Sequence, residues 1–289
     1  MKLSDINIRD PFILPFEGKY YMYGTRAIHT WTQEIKDGYG FDVYESDDLE
    51  NWTGPKSIFE NADSFWGDFQ FWAPEVHIYK GRFYLAATFS DKEYHRGTAI
   101  LSCDTPNGNF KEHSHGALTP WEWSSLDGTL YVEDDTPYMV FCHEWIQIKD
   151  GEVCAVQLSE DLRNPVGEPF TLFKASDAKP WVLPVEQNCY VTDGPFMMTV
   201  DGELICLWSS FGAGGYVEAI ARSENGKIKG KWTIDEKLLF SENGGHGMVF
   251  KDKEGKLNFV MHSPNKPATA ERPVLKEIYE TEDGFLKLK

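Results

Sequence analysis

Apolar and aromatic residues recur along the chain in short runs, and a turn signal precedes each run. Five of these segments share one form, a turn containing Gly or Pro followed by a strand-like stretch. They are EGKYYMYGT (17–25), KGRFYLAAT (80–88), DDTPYMVFC (134–142), DGELICLWS (201–209) and EGKLNFVMH (254–262). Turn residues directly before strand-forming residues are typical of β-hairpins. The pattern therefore predicts five hairpins.

A second element lies upstream of each hairpin and joins a polar residue to the start of another strand. The five copies are RDPFIL, APEVHIY, LDGTLYV, TDGPFMM and GHGMVF, with Asp10, Glu75, Asp127, Asp193 and His246 as their polar residues. Spacings of 65, 52, 66 and 53 residues separate these five positions. A third element, as in SDDLENW and SEDLRNP, follows in four of the units. The repeat predicts five structurally equivalent units.

Each unit has a length of about 58 residues, which accommodates four short strands with their turns. No window sustains apolar residues at the spacing of a helix over several turns. We therefore predict an all-β protein, a single five-bladed β-propeller over residues 1–289 with no separate domain. A β-sandwich whose repeats arise by chance is the alternative.

Charge and composition exclude several classes of function. The chain carries 28 Lys and Arg against 46 Asp and Glu, a net charge of −18, which argues against nucleic acids and anionic membranes as partners. Charged residues interrupt the first segment, MKLSDINIRDPF, where a signal peptide needs an apolar region, so we expect a cytoplasmic protein. The five cysteines lack zinc-site spacing and are expected to be reduced thiols, mostly buried.

The polar residues of the repeat are the candidate functional residues. The first strand of each propeller blade lines the central axis, so equivalent positions meet at the mouth of the channel. Convergent carboxylates repel one another and are costly to bury without partners. Their grouping therefore indicates catalysis or metal binding rather than packing.

The order of the motifs resembles that of glycoside hydrolase family 43. RDP, WAPE, SLDGTLY, a carboxylate followed by Gly-Pro, and GHG follow one another over essentially the whole chain. The resemblance implies an inverting hydrolase of β-xylosides or α-L-arabinofuranosides. It assigns Asp10 as the general base, Asp127 as the carboxylate that tunes the pKa of the acid, and Asp193 as the general acid. His246 matches the axial histidine beside a metal or water, and calcium is the metal expected there.

Two residues depart from the family pattern. The acid motif of the family reads Glu-Gly-Pro, whereas this chain has Asp193, and the second-blade motif ends in Asp, whereas this chain has Glu75. The shorter side chain of Asp193 holds its carboxyl about one methylene further from the substrate. Glu186 is the second candidate for the acid. We interpret Glu75 as a strand residue that hydrogen-bonds to a neighbour.

Acid–base chemistry gives independent support for the paired roles. Inversion requires an ionised carboxylate that deprotonates water and a carboxylic acid that protonates the leaving oxygen. Arg9 or backbone N–H groups could keep Asp10 ionised, and an ionised Asp127 would favour the protonated form of Asp193.

Aromatic residues near the motifs are candidates for the walls of the sugar subsites, because sugar C–H faces stack on rings. The candidates are Trp31, Phe71, Trp72, Phe211 and Tyr216, with Arg272 as a ligand for a sugar hydroxyl. The predicted function is the release of xylose or L-arabinofuranose from short plant cell-wall oligosaccharides. An endo-acting arabinanase, a fructan-cleaving propeller and a non-catalytic sugar-binding propeller are the alternatives.

Overall fold

Five four-stranded antiparallel sheets account for nearly all the regular structure of the chain. The structure is a computed structural model that describes residues 1–29, 40–61, 65–93, 95–281 and 286–289. Each sheet consists of four strands that follow one another along the chain. The first strands of neighbouring sheets pack against one another in a closed ring, including the first sheet against the last. The molecule is therefore the predicted five-bladed β-propeller.

The strands of the first three blades are β1 Ile8–Phe16, β2 Lys19–Arg26, β3 Gly40–Ser46, β4 Trp52–Glu60, β5 Phe69–Tyr79, β6 Arg82–Ser90, β7 Arg96–Cys103, β8 Lys111–Glu112, β9 Ser125–Glu133, β10 Thr136–His143, β11 Glu152–Leu158 and β12 Pro165–Lys174. Those of the last two are β13 Asp193–Val200, β14 Glu203–Gly212, β15 Gly215–Ser223, β16 Trp232–Ile234, β17 Gly245–Lys251, β18 Leu257–Ser263, β19 Arg272–Glu280 and β20 Leu286–Leu288. In the described ranges the helices are short: α1 Trp145–Ile148 and 3₁₀ segments at Leu3–Asp5, Ala27–His29, Ala175–Ala178 and Ala268–Ala270.

The five predicted hairpins join the first and second strands of each blade. In four of them the glycine of the turn has a φ between +76° and +86°, a conformation that favours glycine: Gly18, Gly81, Gly202 and Gly255. In the third blade, Asp134 and Asp135 take positive φ in its place. The prediction of five turn-and-strand units is confirmed.

Each first strand begins with an irregular step in its pairing with the second strand. The equivalent residues at these steps have a φ between +46° and +56°; they are Asp10, Ala73, Asp127, Gly194 and His246, and β5 carries Gln70 (φ +55°) at a second step. The predicted alignment was wrong at two units, because Asp193 precedes the equivalent position and Glu75 follows it. Glu75 pairs with His77 (Oε2–Nε2 2.9 Å), as expected of a strand residue.

In four of the five blades, the residue with positive φ donates its backbone N–H to a side chain from the preceding blade. The acceptor stands near the end of a second strand in every case. The four bonds are Ala73 to Thr25 (2.7 Å), Asp127 to Thr88 (2.8 Å), His246 to Ser209 (2.6 Å) and Asp10 to His262 (3.2 Å). Each bond satisfies an N–H that the irregular step removes from the strand ladder. We call these bonds, with the fifth N–H described below, the inter-blade ring.

The fifth N–H, that of Gly194, finds a different acceptor. Cys142 occupies the corresponding place on β10, where it pairs with Leu126. A thiol is a poor hydrogen-bond acceptor. The N–H of Gly194 instead donates to Oδ2 of Asp127 (3.0 Å). The exception therefore ties the side chain of Asp127 to the start of the fourth blade.

Phe71 lies in the core and not at the mouth of the channel. It is 3% exposed and packs with Phe41, Phe59 and Phe89 in an aromatic cluster between the first two blades. Neighbouring residues of a strand point to opposite sides, so Phe71 and Trp72 cannot both face one cavity. The prediction that Phe71 forms a subsite wall is therefore wrong.

Arg272 helps to close the ring of blades. Its guanidinium donates to the backbone carbonyls of Ser4 (2.8 Å), Thr269 (3.0 Å) and Glu271 (2.7 Å). These bonds join the start of the chain to the last blade, and Arg272 is not among the residues that line the cavity described below. The predicted role of Arg272 in sugar binding is replaced by this structural one.

Two further expectations concern the cysteines and the membrane. Cys142, Cys154, Cys189 and Cys206 are buried, Cys103 is half-buried, and all five are free thiols. Within the described ranges, no helix has the length and apolar character needed to cross a bilayer.

Candidate active site

A cavity of about 470 Å³ lies at the end of the propeller where the five first strands begin. All five blades contribute to its wall. The lining includes Arg9, Asp10, Gln70, Trp72, Arg96, Asp127, Glu144, Asp193, Phe211, Tyr216, His246 and Asn265. The three predicted catalytic aspartates and the axial histidine therefore share one cavity, whose size is ordinary for a small-molecule site.

Asp10 is a buried carboxylate surrounded by hydrogen-bond donors and positive charge. Its Oδ1 lies 3.2 Å from Nε of Arg9 and 3.1 Å from Nδ1 of His246, and its Oδ2 accepts from the Thr25 hydroxyl (2.7 Å). Burial raises the pKa of Asp10, but the charges of Arg9 and His246 outweigh burial and hold it well below its usual range. Asp10 is therefore ionised near neutral pH.

His262 supports Asp10 from the last blade and was not identified from the sequence. Its Nδ1 accepts the backbone N–H of Asp10, so the proton of the neutral ring lies on Nε2, which donates to Oδ1 of Asn265 (2.9 Å). Burial and the charge of Arg9 lower the pKa of His262 to about 3, which keeps the ring neutral. Arg9 also donates to Oδ1 of Asn265 (3.3 Å), so these residues form one network.

Asp127 lies between the base and the acid. Its Oδ2 accepts the N–H of Gly194 and lies 3.7 Å from Nδ1 of His246. Burial raises the pKa of Asp127 to about 7; His246 opposes this shift, and the charges of Asp193 and Asp10 add to it. Asp127 therefore exchanges its proton near neutral pH.

Asp193 is the first residue of β13, and its partly exposed carboxyl lines the cavity. Tyr216 donates its hydroxyl to Oδ2 of Asp193 (3.1 Å). Burial raises the pKa of Asp193 to about 6, against the opposing charges of His246 and Arg9 and with a contribution from Glu144. Burial is thus the main cause of the raised pKa of Asp193, whereas the sequence analysis attributed that shift to the charge of Asp127. A carboxyl with this pKa keeps its proton in mildly acidic solution.

His246 packs against the backbone of Gly194, whose φ is +53°. A Cβ on Gly194 would lie 2.6 Å from the imidazole ring, so only glycine fits there. Burial lowers the pKa of His246, but Asp10 and Asp127 outweigh burial and raise it to about 10. Oε2 of the fully buried Glu218 accepts from the N–H of Gly247 (3.1 Å), the residue after His246, and from the hydroxyl of Ser209 (2.7 Å). These contacts fix the position of the ring.

The structure brings together three of the six predicted substrate contacts. Trp72, Phe211 and Tyr216 line the cavity, whereas Glu186 lines a neighbouring cavity beside α1. Trp31 lies outside the described residues. Tyr216 is 1% exposed, so it acts on Asp193 rather than as an open stacking surface.

Calcium beside His246 stays a prediction. Within the part of the chain that the structure describes, no three His, Cys, Asp or Glu side chains are arranged to hold a metal ion. Nδ1 of His246 faces two carboxylates, so Nε2 is the nitrogen that would bind an ion. Water molecules would have to supply the oxygens that calcium requires. An ion there would add positive charge near the three aspartates.

The comparisons with known proteins identify the family. The sequence pattern of glycosyl hydrolases family 43 matches residues 4–286, and the chain therefore belongs to this family. The structure resembles the crystal structure of an endo-arabinase from Bacteroides thetaiotaomicron, with 39% identity, 99% of each chain covered and a TM-score of 0.89.

Two curated relatives are more distant. The extracellular endo-α-(1→5)-L-arabinanase 1 of Bacillus subtilis is 24% identical over 57% of this chain and 50% of its own length. Xylosidase/arabinosidase 43A of Humicola insolens is 26% identical over 50% of this chain and 46% of its own length. The matches thus span about half the length of these relatives.

Chelation tests the calcium prediction. If an ion is bound at His246, treatment with a chelator should lower kcat and the midpoint of thermal unfolding, because an ion that binds only the folded state stabilises it. Added calcium should restore both. Unchanged activity and stability after the chelator has removed any bound metal, checked by elemental analysis, would overturn the prediction.

Replacing Gly194 tests the contact with His246. Gly194→Ala should reduce kcat/KM by about 10²-fold, because the new methyl group displaces the imidazole ring that holds Asp10 and Asp127. Gly81→Ala is the matched control: its φ is +78°, and its Cβ would meet no atom within 4 Å. Gly81→Ala should lose about 1 kcal/mol of unfolding free energy from the left-handed backbone, and Gly194→Ala should lose more because of its contact with His246. Parental activity in Gly194→Ala would contradict the assignment.

Proposed function

We propose that this family 43 protein hydrolyses α-1,5-linked L-arabinan with inversion of configuration, and that it cleaves within the chain. The observation that carries the proposal is the similarity to the endo-arabinase over the full length of both chains. The pairing of an ionised Asp10 with a protonated Asp193 in one cavity supports the chemistry. The broader prediction, that the protein is a glycosidase, agrees with its membership of glycosyl hydrolases family 43.

Asp10 is the proposed base. Hydrolysis with inversion needs a carboxylate that removes a proton from water as the water attacks the anomeric carbon. The pKa of Asp10 lies well below its usual range, so the group is available in the ionised form near neutral pH. Thr25 and Arg9 fix its orientation, which leaves little reorganisation for the reaction.

Asp193 is the proposed acid, in place of the usual glutamate. It must hold a proton and deliver it to the oxygen of the leaving sugar. Its raised pKa supplies the proton, and the hydroxyl of Tyr216 holds the carboxyl in place. Asp127, whose pKa of about 7 keeps it mostly protonated where Asp193 holds its proton, positions His246 and Gly194.

The release of single xylose or arabinofuranose units is the second candidate. The similarity to xylosidase/arabinosidase 43A favours it, although that match covers half of this chain. In either case the partner is a neutral oligosaccharide, as the net charge of −18 allows. The cytoplasmic location stays a prediction.

The products from arabinan separate the two candidates. Internal cleavage of linear α-1,5-arabinan should lower its viscosity early and release arabino-oligosaccharides before arabinose. Removal of end units should release the monosaccharide from the start with little loss of viscosity. Activity on β-1,4-xylan or aryl β-xylosides alone would contradict the arabinan proposal, and the absence of hydrolysis on all of these substrates would favour a non-catalytic sugar-binding protein.

Leaving groups separate the roles of Asp10 and Asp193. Asp10→Asn should abolish turnover of every substrate, because water activation is always needed. Asp193→Asn should lose about 10² to 10⁴ in kcat on an arabino-oligosaccharide, and much less on a nitrophenyl arabinobioside, whose leaving group needs no proton. Equal losses on both substrates would contradict the role of Asp193.

The pH dependence provides the control for this experiment. The active form has Asp193 protonated, so kcat/KM of the parent protein should be full below pH 6 and fall as the pH rises through about 6. Asp10 stays ionised, so no acidic decline from this group is expected above pH 4. On the nitrophenyl substrate the alkaline decline should be absent in Asp193→Asn.

A further inference from the structure

A buried ion pair on the wall of the cavity enters the mechanism above only through the charge of Glu144, which helps to raise the pKa of Asp193. Arg96 is the first residue of β7 in the second blade, and Glu144 directly follows β10 in the third. Nη1 of Arg96 donates to Oε2 of Glu144, and their side chains are 11% and 8% exposed. Both residues line the cavity that contains the three aspartates.

The surrounding residues hold this pair in one orientation. Nε of Arg96 donates to Oε1 of Gln70 (2.9 Å) and to the hydroxyl of Ser90 (3.3 Å). The hydroxyl of Ser124 donates to Oε2 of Glu144 (2.6 Å). Both groups are therefore positioned before any ligand arrives, which reduces the entropy lost on binding.

Trp72 lies beneath the guanidinium, whose central carbon is 4.9 Å from the ring centroid. One face of this ring is thus covered by Arg96, so only the remaining surface of the ring is available to a sugar. On this side of the cavity the groups that face a ligand are the charged atoms above the ring.

Two atoms of the pair remain open to the cavity. The bonds above use Nε and Nη1 of Arg96 and Oε2 of Glu144. Among the described residues, no side chain or carbonyl hydrogen-bonds to Nη2 of Arg96 or to Oε1 of Glu144, and neither atom is sealed from solvent. The pair therefore presents two N–H donors beside a carboxylate acceptor.

A donor beside an acceptor matches the two adjacent hydroxyls of a sugar ring. One hydroxyl accepts from Nη2 of Arg96, and its neighbour donates to Oε1 of Glu144. Bonds to charged groups are stronger than neutral ones. An anionic ligand would meet the charge of Glu144, which selects a neutral polyhydroxyl compound.

We propose that Arg96 and Glu144 form a subsite that binds the vicinal hydroxyls of one pentose unit of the substrate. The inference rests on the proposed function, because it places this sugar in the cavity of Asp10 and Asp193. Structural packing alone would not require the pair, since burying an ion pair contributes little stability compared with apolar residues of similar size.

Binding measurements test the subsite separately from catalysis. The parent for this experiment is the inactive Asp10→Asn variant, and calorimetry measures its affinity for an α-1,5-arabino-oligosaccharide. Adding Arg96→Met and Glu144→Leu together removes both charges, leaves no unpaired charge in the wall and should weaken binding by 10- to 100-fold. Lys80→Met with Glu160→Leu is the matched control, because this pair also joins the second and third blades but is exposed. It should bind as the parent does.

Substrates that lack one hydroxyl identify the contact itself. In the otherwise unmodified enzyme, kcat/KM should fall for substrates that lack the 2-hydroxyl of the arabinofuranosyl units, for those that lack the 3-hydroxyl, or for both. In the Arg96→Met/Glu144→Leu variant, removing the same hydroxyl should lower kcat/KM little further, because the side chains that would bind that hydroxyl are already absent. In the single variant Glu144→Gln, the loss of kcat/KM on removing the hydroxyl should be intermediate between those of the unmodified enzyme and the double variant.

Each outcome decides between the proposals. Parental affinity in the double variant, or an unchanged hydroxyl penalty, would overturn the subsite while leaving the proposed hydrolysis intact. Failure of the unmodified protein to bind or hydrolyse any pentose oligosaccharide would overturn the proposed function. Thermal unfolding of each variant shows whether a loss of affinity reflects a loss of folded protein, and a variant that does not fold is replaced by Glu144→Gln in the same comparisons.

Discussion

The inter-blade ring is the constraint on which the rest of the structure depends. A left-handed residue at the start of each first strand leaves its N–H without a partner in the strand ladder, and at Asp10, Asp127 and His246 the side chain lines the cavity. Such a conformation costs about 1–3 kcal/mol and persists only where the surroundings determine it. The side chain from the preceding blade provides that support in four blades. The same bond thus joins neighbouring blades and fixes Asp10, Asp127 and His246 at the cavity.

The hydrogen bond of Gly194 differs from the other four bonds of the inter-blade ring. Because the corresponding acceptor position holds Cys142, the N–H of Gly194 binds the carboxylate of Asp127 instead. Asp127 is thereby drawn toward Asp193, while Asp10 remains among Arg9 and the two histidines. The carboxyl of Asp10 is stabilised in its ionised form by Arg9 and His246, whereas for Asp193 the effect of burial exceeds the opposing charges of His246 and Arg9. Different environments separate the protonation of two chemically identical side chains, which is the requirement of acid–base catalysis.

The sequence pattern predicted the parts of the fold that repeat along the chain and missed the parts that depend on folding. Hairpins and first strands carry local turn signals, so the blades and three of the axial residues could be recognised. An alignment by residue type placed Glu75 at the axis, because it could not detect that the backbone step falls at Ala73. His262, Arg96 and Glu144 stand at the ends of second and third strands, and only the assembled blades bring them to the cavity.

The most direct test of this account is the ionisation of the two carboxyls in one sample. Carbon NMR of protein with labelled aspartate carboxyls, assigned with Asp10→Asn and Asp193→Asn, measures both pKa values. Asp193 should titrate near pH 6, and Asp10 should remain ionised well below that pH. Titration of Asp193 near pH 4, or of Asp10 above it, would contradict the claim that their environments divide the roles of acid and base.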